Sequence, residues 1–498
     1  MSGGRARYVA RVLGRLLAEQ ARARRKPGDG AEERARAVRE ALQDLGPFYI
    51  KVGQLLSTRP DFVPPAVLEE LATLHDRVSP APFSDFEPVL AADLGPKWRR
   101  LLRDFDTALP LGAASLAQVY RARLADGTPV AVKLQRPGTQ RVMADDMRLL
   151  RRAAALVARA TPRFTAVVDV PAMLEVLFDA MEAETDFRVE AANMRRARQL
   201  TETYEHLTVP RVLMPPTRRV LVQSLAPGTS IRDADPRDFT LAQRTGIGRD
   251  LMAFMYHGFF LDRYFHADPH PGNLFVHPGE PAHLIDWGMV GRMDSSTSRS
   301  LVLALLTIAD NDGAGLAKTW AEMGHPTAWA DLAGFRSDIS RLVPKVTSAS
   351  LDELDFGLTL TAVLTHATHR GIRSSPTISL LGKSFANLEG SIRYLCPELS
   401  ITDVFADNLR TIIFGLARET LSERQAARTA LDIIIAAPGA LQQTRGILRT
   451  LADQDLTLHA KVAGEPNRRG GGKETGSRAP WAAALVLAAY LARAGRRK

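Results

Sequence analysis

The chain has 498 residues and one cysteine, Cys396. A lone cysteine excludes an intramolecular disulfide and a thiolate metal cluster, and a reducing cytosol is the simpler setting for it. Long apolar runs are also missing. No stretch reaches the roughly 18 apolar residues expected of a membrane-spanning helix. The N-terminus carries arginines without the apolar core of a secretory signal peptide. No internal repeat is present.

What is there is an apolar content of 45%, enough to build real cores for two or three ordinary domains or one bilobal enzyme with extensions. The formal charge is +10. That number alone fits nucleic acid, an anionic membrane surface or a phosphorylated ligand equally well. Its distribution is uneven: Arg5, Arg7, Arg11, Arg15, Arg22, Arg24, Arg25 and Lys26 crowd the start, and Arg493, Arg496, Arg497 and Lys498 close the chain. Both ends look suited to one anionic surface. A nucleic-acid partner rests on charge alone and is not expected.

Tyr8, Val9, Val12, Leu13, Leu16 and Leu17 recur at helical spacing opposite Arg11 and Arg15, which predicts an amphipathic basic helix, either docked on the protein's own body or lying on a membrane. Pro27 to Ala31 breaks it. From Leu111 to Leu134 the sequence becomes β-prone, with Gln118–Ala122 and Val130–Leu134 flanking a turn at Asp126-Gly127, an antiparallel hairpin. Helices are expected over Asp145–Arg159 and Pro171–Leu200, and short strands near Val209–Leu213 and Arg219–Ser224. After Asp286 helical periodicity runs to about Ala452. Alternation at Leu456, Leu458, Ala460 and Val462 suggests a last strand, and Gly464–Arg478 reads as a flexible linker.

The expected organisation is a basic helical segment (1–44), a helical extension (45–108), a small β-rich lobe with inserted helices (109–228), a larger helical lobe (229–462), a linker (463–478) and an apolar, basic tail (479–498). A bilobal α+β protein-kinase-like fold has this plan. A helix over Pro480–Ala492 would span about 20 Å at roughly 1.5 Å per residue, short of a hydrocarbon core of roughly 30 Å, so a full span is not expected and the tail reads as an interfacial or tail anchor, with a helix docked on the protein as the alternative.

Five residues stand in the order that phosphoryl transfer requires: a cation for the phosphates, its partner, a carboxylate near the nucleophile and two metal ligands. Val130-Ala131-Val132-Lys133 puts a lysine at the end of a strand. Glu190 lies on a helix after the hairpin, where it can pair with Lys133. Solvated helix charge is its alternative, but Glu184, Asp186 and Glu190 crowd seven residues with only Arg188 among them. His266-Ala267-Asp268-Pro269-His270-Pro271-Gly272-Asn273 has the D-x-x-x-x-N spacing of a catalytic loop, with Asp268 for the nucleophile and Asn273 for Mg²⁺. A zinc site built on His266 and His270 is the rival. Pro269 and Pro271 oppose the helix that would align them, and no fourth ligand is near. Thirteen residues on, Leu284-Ile285-Asp286-Trp287-Gly288 is an apolar strand ending in Asp-aromatic-Gly, a second metal ligand.

With these residues in place the sequence resembles the UbiB-type atypical kinases, a family that includes AarF-related bacterial proteins and mitochondrial relatives needed for coenzyme Q synthesis. The diagnostic piece is Lys51-Val52-Gly53-Gln54, continuing through Leu55-Leu56-Ser57-Thr58-Arg59-Pro60-Asp61 to Glu70-Leu71 and Leu74-His75-Asp76, which is similar to the family's K-x-G-Q signature. The resemblance implies that this extension folds across the site where a kinase admits a peptide, with Lys51, Gly53 and Gln54 closing the pocket and Glu184 and Asp186, as an E-x-D pair, meeting Lys51. It implies ATP and Mg²⁺ as cofactors, with Leu111, Gly112, Ala113, Ala114, Ser115, Val119, Lys133, Gln223 and Leu225 around the nucleotide. It also implies an isoprenoid or quinone-precursor lipid as partner and a place at the inner face of the cell membrane. A homodimer stays open. Two departures are visible: Gly112 stands where the family's alanine-rich loop has its first alanine, and Gln223-Ser224 replaces a hinge that is commonly Met-Glu.

Overall fold

The computed structural model describes residues 3–23, 31–74, 79–348 and 356–420. His75, Asp76, the expected strand over 456–462, the linker and the C-terminal tail lie outside the described residues. Among the described residues, those up to Asn408 belong to one compact unit and those from Leu409 on to a second.

The amphipathic helix is α1 (Gly3–Ala23), and its apolar stripe is docked on the protein itself. Val9, Val12 and Leu16 pack with Ala41 and Leu45 of α2 (Ala31–Leu45), with Phe48 and Tyr49 of α3 (Pro47–Leu56), and with Met143, Leu149 and Leu177. Each such burial contributes on the order of 1.5–3 kcal/mol. Arg5 fixes the register by donating to Asp146 at 2.8 Å and to the Leu45 carbonyl at 2.7 Å. Gly46 (φ 99°) and Pro47 together start α3, because glycine supplies the left-handed turn and proline pre-sets the first helical φ. Gly53 of α3 faces α4 (Pro65–Ala72) at close quarters: a Cβ there would collide with Leu74 and lie 2.9 Å from Leu42.

Next, α5 (Glu87–Leu94) and α6 (Trp98–Leu101) cover one face of the small lobe's sheet, ordered β1 (Leu102–Arg103), β3 (Ala117–Leu124), β4 (Pro129–Gln135), β6 (Val220–Ser224), with β2 (Gly112–Ala113) added to β3. The β3–β4 hairpin turns at Gly127 (φ 88°), where the Asp126 carboxylate accepts from Thr128 N at 2.9 Å. Strand alternation then divides β4. Val130, Val132 and Leu134 enter a core with Phe86, Leu90, Trp98 and Tyr120, so Lys133 points to the other face, opposite Val119 and Leu221.

The inserted helices are α7 (Thr139–Ala160), α8 (Pro162–Val167), α9 (Val170–Thr185) and α10 (Phe187–Thr201). The single helix expected over Pro171–Leu200 is broken at Asp186, whose extended backbone (φ −142°) and side chain cap α10 by accepting from Arg188 N at 3.1 Å. The strand expected near Val209–Leu213 shrinks to β5 (Leu207–Thr208) and a bridge at Val212.

In the larger lobe β7 (Thr229–Ser230) and α11 (Leu241–Phe260) lead to β8 (Tyr264–His266), β9 (Leu274–Val276), β10 (Ala282–Leu284) and β11 (Val290–Arg292). Pairing of β9 with β10 and of β8 with β11 brings His266–Asn273 beside Asp286–Gly288. Helices follow: α12 (Ser295–Ala309), α13 (Gly313–Met323), α14 (Leu332–Ser348), α15 (Phe356–His369), α16 (Pro376–Leu395) and α17 (Ile401–Thr420), with β12 (His325–Pro326) and β13 (Ile372–Arg373) paired between them. The lone Cys396 is buried. No helix among the described residues is long and apolar enough to cross a membrane.

Candidate active site

Lys133 reaches from the sheet into the cleft, where its ammonium donates to both Glu190 oxygens at 2.8 and 2.9 Å and to Asp286 Oδ1 at 3.0 Å. Glu190 is 1% exposed. Lys133 supplies a counter-charge for a carboxylate so far from water. Phe187, one turn earlier on α10, places its ring 5.4 Å from the same ammonium.

Asp286 adopts a left-handed backbone (φ 60°), a conformation costly for most side chains and tolerated best by Asp and Asn. Removal from bulk water pushes its carboxyl up, but Lys133 and Lys51 outweigh that and hold it well below the usual range. The adjoining Trp287 is fully buried, stacked on Tyr264 at 6.2 Å and edge-on to His266 at 4.8 Å. Its carbonyl accepts from Asn193 on α10 at 3.0 Å.

The catalytic-loop expectation has a definite geometry. His266 Nδ1 accepts from Asp268 N at 3.1 Å, so its Nε2 carries the proton and faces the carbonyls of Ile285 and Asp286 at 3.1 and 3.0 Å. Burial lowers the pKa of His266 and of His270, which favours neutral rings. With both nitrogens of His266 engaged, the zinc alternative loses a ligand. Asn273 Nδ2 donates to the Asp268 carbonyl at 3.1 Å, and the Asn273 carbonyl accepts from Ile285 N at 2.9 Å, next to Asp286. That leaves the side-chain Oδ1 of Asn273 and the Asp286 carboxylate as the oxygen donors these two segments offer. Two oxygen donors and no thiolate or imidazole suit a hard cation such as Mg²⁺.

Lys51 on α3 lies close enough for its charge to act on Asp268, Asp286 and His270. Two further members of the closing set have partners of their own. Asp186 does not serve Lys51: besides capping α10, its carboxylate takes Arg188 Nε at 2.9 Å and Nη2 at 2.5 Å, with Arg218 3.6 Å away. The side chain of Glu184 lies outside the described residues. Gln54 Nε2 donates to the Leu74 carbonyl at 3.2 Å, tying α3 to the end of α4, and Gly53 is the close approach between those helices.

Leu111, Gly112, Ala113, Ala114, Ser115 and Val119 form a tight hairpin end: Leu111 N donates to Val119 O at 2.7 Å and Ala114 N to Ala117 O at 2.8 Å. Arg136 clamps it by donating to Ala114 O at 2.9 Å. Ser115 is buried and Leu111 half exposed. Gly112 has no left-handed φ, and a methyl group added to it would meet nothing within 4 Å, so the backbone does not require glycine there. In the hinge, Gln223 pairs across the sheet with Ala131, and Leu225 N donates weakly to Pro129 O at 3.4 Å.

Sequence reasoning missed α16. From this one helix Asn387 Nδ2 donates to Asp268 Oδ1 at 2.8 Å, and Lys383 Nζ lies 3.9 Å from the same oxygen. Ser384 and Ser391 donate to the His266 and Pro269 carbonyls at 2.5 and 3.1 Å. Withdrawal from water pushes the Asp268 carboxyl up; Lys383 first, then His270 and Lys51, pull it below its ordinary value. No local motif marks these residues. The available signal was polar residues at i, i+1, i+4 and i+8 on an otherwise apolar helix.

A strand lysine paired with a helix glutamate, a D-x-x-x-x-N loop and an Asp-aromatic-Gly turn in a bilobal α+β chain define a protein-kinase-like protein. The profile described as "ABC1 atypical kinase-like domain" matches residues 73–320. The chain is 31% identical over 474 residues to a "Probable protein kinase UbiB" of Pseudomonas entomophila, an alignment covering 93% of this chain and 84% of that one. It is 32% identical over 364 residues to the uncharacterized protein slr0889 of Synechocystis sp., covering 70% and 88%. A solved structure, Rv3197 of Mycobacterium tuberculosis with erythromycin, superposes at a TM-score of 0.49 and 22% identity, covering 74% and 93%. The chain belongs to the ABC1 atypical kinase-like, UbiB-type family.

Proposed function

We propose that this chain binds ATP with Mg²⁺ and acts as an atypical kinase or ATPase of the UbiB type, at the inner face of the cell membrane, in support of isoprenoid quinone or lipid biosynthesis. The observation that carries the reading is Lys133 held between Glu190 and Asp286, across the cleft from Asp268 and Asn273. Lys133 binds the α and β phosphates, and Glu190 positions it. Asn273 and Asp286 hold the metal, whose chemistry when bound is to neutralise charge on the phosphate oxygens. Asp268 orients the nucleophile and takes its proton. The hairpin Leu111–Val119 and the hinge at Gln223 and Leu225 enclose the nucleotide, while Lys51 presents a fixed charge from the extension. Membrane attachment is supported by α1, whose exposed side carries Arg7 and Arg11 while its apolar side is used internally. An isoprenoid or quinone-precursor lipid is the partner class that the family resemblance supports.

The test is ATP turnover with and without anionic liposomes, comparing wild type with Asp286→Asn. Metal-dependent turnover that Asp286→Asn abolishes supports the enzyme. Binding without turnover supports a second reading, a nucleotide-switched scaffold, which the fixed packing of the extension through Gln54 and Gly53 favours.

A further inference from the structure

The catalytic loop His266–Asn273 contains neither lysine nor arginine. Phosphoryl transfer nonetheless develops charge on the equatorial oxygens next to the nucleophile, and a fixed cation there stabilises it strongly. Lys133 is committed to Glu190 and Asp286, at the phosphate and metal end of the cleft. Lys51 divides its influence between Asp286 and Asp268. The cation nearest to Asp268 comes instead from α16: Lys383 Nζ at 3.9 Å from Asp268 Oδ1.

Two features separate this from an ordinary structural ion pair. Asp268 and Lys383 each keep 23% of the side chain exposed, so solvent reaches the pair rather than being sealed from it. Asp268 is also held one-sidedly, with Asn387 donating to Oδ1 at 2.8 Å. Among the described residues nothing donates to Oδ2. The backbone around the pair is pinned by Ser384 and Ser391, so the α16 face and the loop act as one rigid piece.

We propose that Lys383 is a catalytic residue that contacts the transferred phosphoryl group, replacing a cation the loop itself lacks, and that Asn387 is a positioning residue that aims Asp268. This rests on the ATP reading above. In the reaction, the acceptor hydroxyl or water oxygen forms a bond to the γ-phosphorus and its proton passes to Asp268 Oδ2. The bond from that phosphorus to the β,γ-bridging oxygen breaks, and its electron pair leaves with ADP. Lys383 faces the phosphoryl oxygens throughout.

The experiment measures, on the full chain, the affinity for Mg-ADP and for Mg-ADP with aluminium fluoride, which mimics the phosphoryl group in flight, in wild type, Lys383→Met, Lys383→Arg and Asn387→Ala. Expected is Mg-ADP binding within about twofold of wild type for Lys383→Met, with a loss of roughly 100-fold in the extra affinity that fluoride complexation gives, and partial recovery in Lys383→Arg. The arginine variant carries the test if the methionine variant does not fold. Equal effects on both ligands, no effect on either, or a wild type that gains no affinity from aluminium fluoride would overturn the proposal. A wild type that binds no Mg-ADP removes the ATP reading itself, a result visible before any variant is made.

Discussion

Asn193 Nδ2 donates to the carbonyl of Trp287 at 3.0 Å, one helical turn beyond Glu190 on the same side of α10. One helix therefore holds the Lys133 partner and the Asp286–Gly288 turn in a single register. Tyr264 strengthens the link, its hydroxyl donating to the Asn193 carbonyl at 3.3 Å and its ring stacked on Trp287.

That link predicts the behaviour of Asn193→Leu. The Trp287 carbonyl is left buried without its donor, a loss of about 1–3 kcal/mol in stability. Because the bond orients Asp286, Mg²⁺-dependent nucleotide binding should weaken more than metal-free binding. Thermal melting and titrations with and without Mg²⁺ check both.

Removing Lys133 alone should destabilise more than removing the pair. Lys133→Met takes away the cation to which both oxygens of Glu190, 1% exposed, are bonded, with an expected loss of about 3–5 kcal/mol. Lys133→Met with Glu190→Leu should recover most of this without restoring nucleotide affinity. Urea unfolding separates stability from binding, and equal losses in single and double variants would contradict the buried pair.

Burial lowers the pKa of His257, His266, His270 and His283. Their folded-state values lie below an unfolded value of about 6.5, so unfolding takes up protons as the pH falls through that region and stability rises with pH. Asp268 and Asp286, held low, keep their contribution above about pH 4 and lose it only in stronger acid. The expected outcome is a lower melting temperature at pH 5 than at pH 7.5, with net proton uptake on unfolding at pH 6. Calorimetry in two buffers of different ionisation enthalpy measures that uptake directly.

Two glycines should behave oppositely. Gly112→Ala meets open space at an ordinary φ and is expected to stabilise by about 0.4–1 kcal/mol through the unfolded chain. Gly53→Ala drives a methyl group into Leu74 and Leu42, with an expected cost of about 1–3 kcal/mol and loosening of α3. Denaturant midpoints of the two variants decide the sign of each.

Much of the fold was legible because its signals are local. Alternation over Val130–Leu134 put Lys133 opposite the apolar core, and Asp126-Gly127 marked the hairpin turn. Asp268, Asn273 and Asp286 were named by spacing within short segments. The break at Asp186 was harder to read: helical periodicity continues on both sides of it, and the cap depends on one residue's backbone geometry.

The sequence by itself determined the order of the parts, the five-residue core and the α+β bilobal plan, since each rests on residues close together in the chain. Only the tertiary structure decided how the parts are engaged. Asp186 turned to the Arg188 backbone N–H because a helix N-terminus needs an acceptor, and α1 spent its apolar stripe on the protein's own body. Lys383 and Asn387 came to Asp268 from 115 residues or more along the chain. Contacts across such distances are selected by packing and desolvation after the chain has folded, and neither leaves a spacing in the sequence.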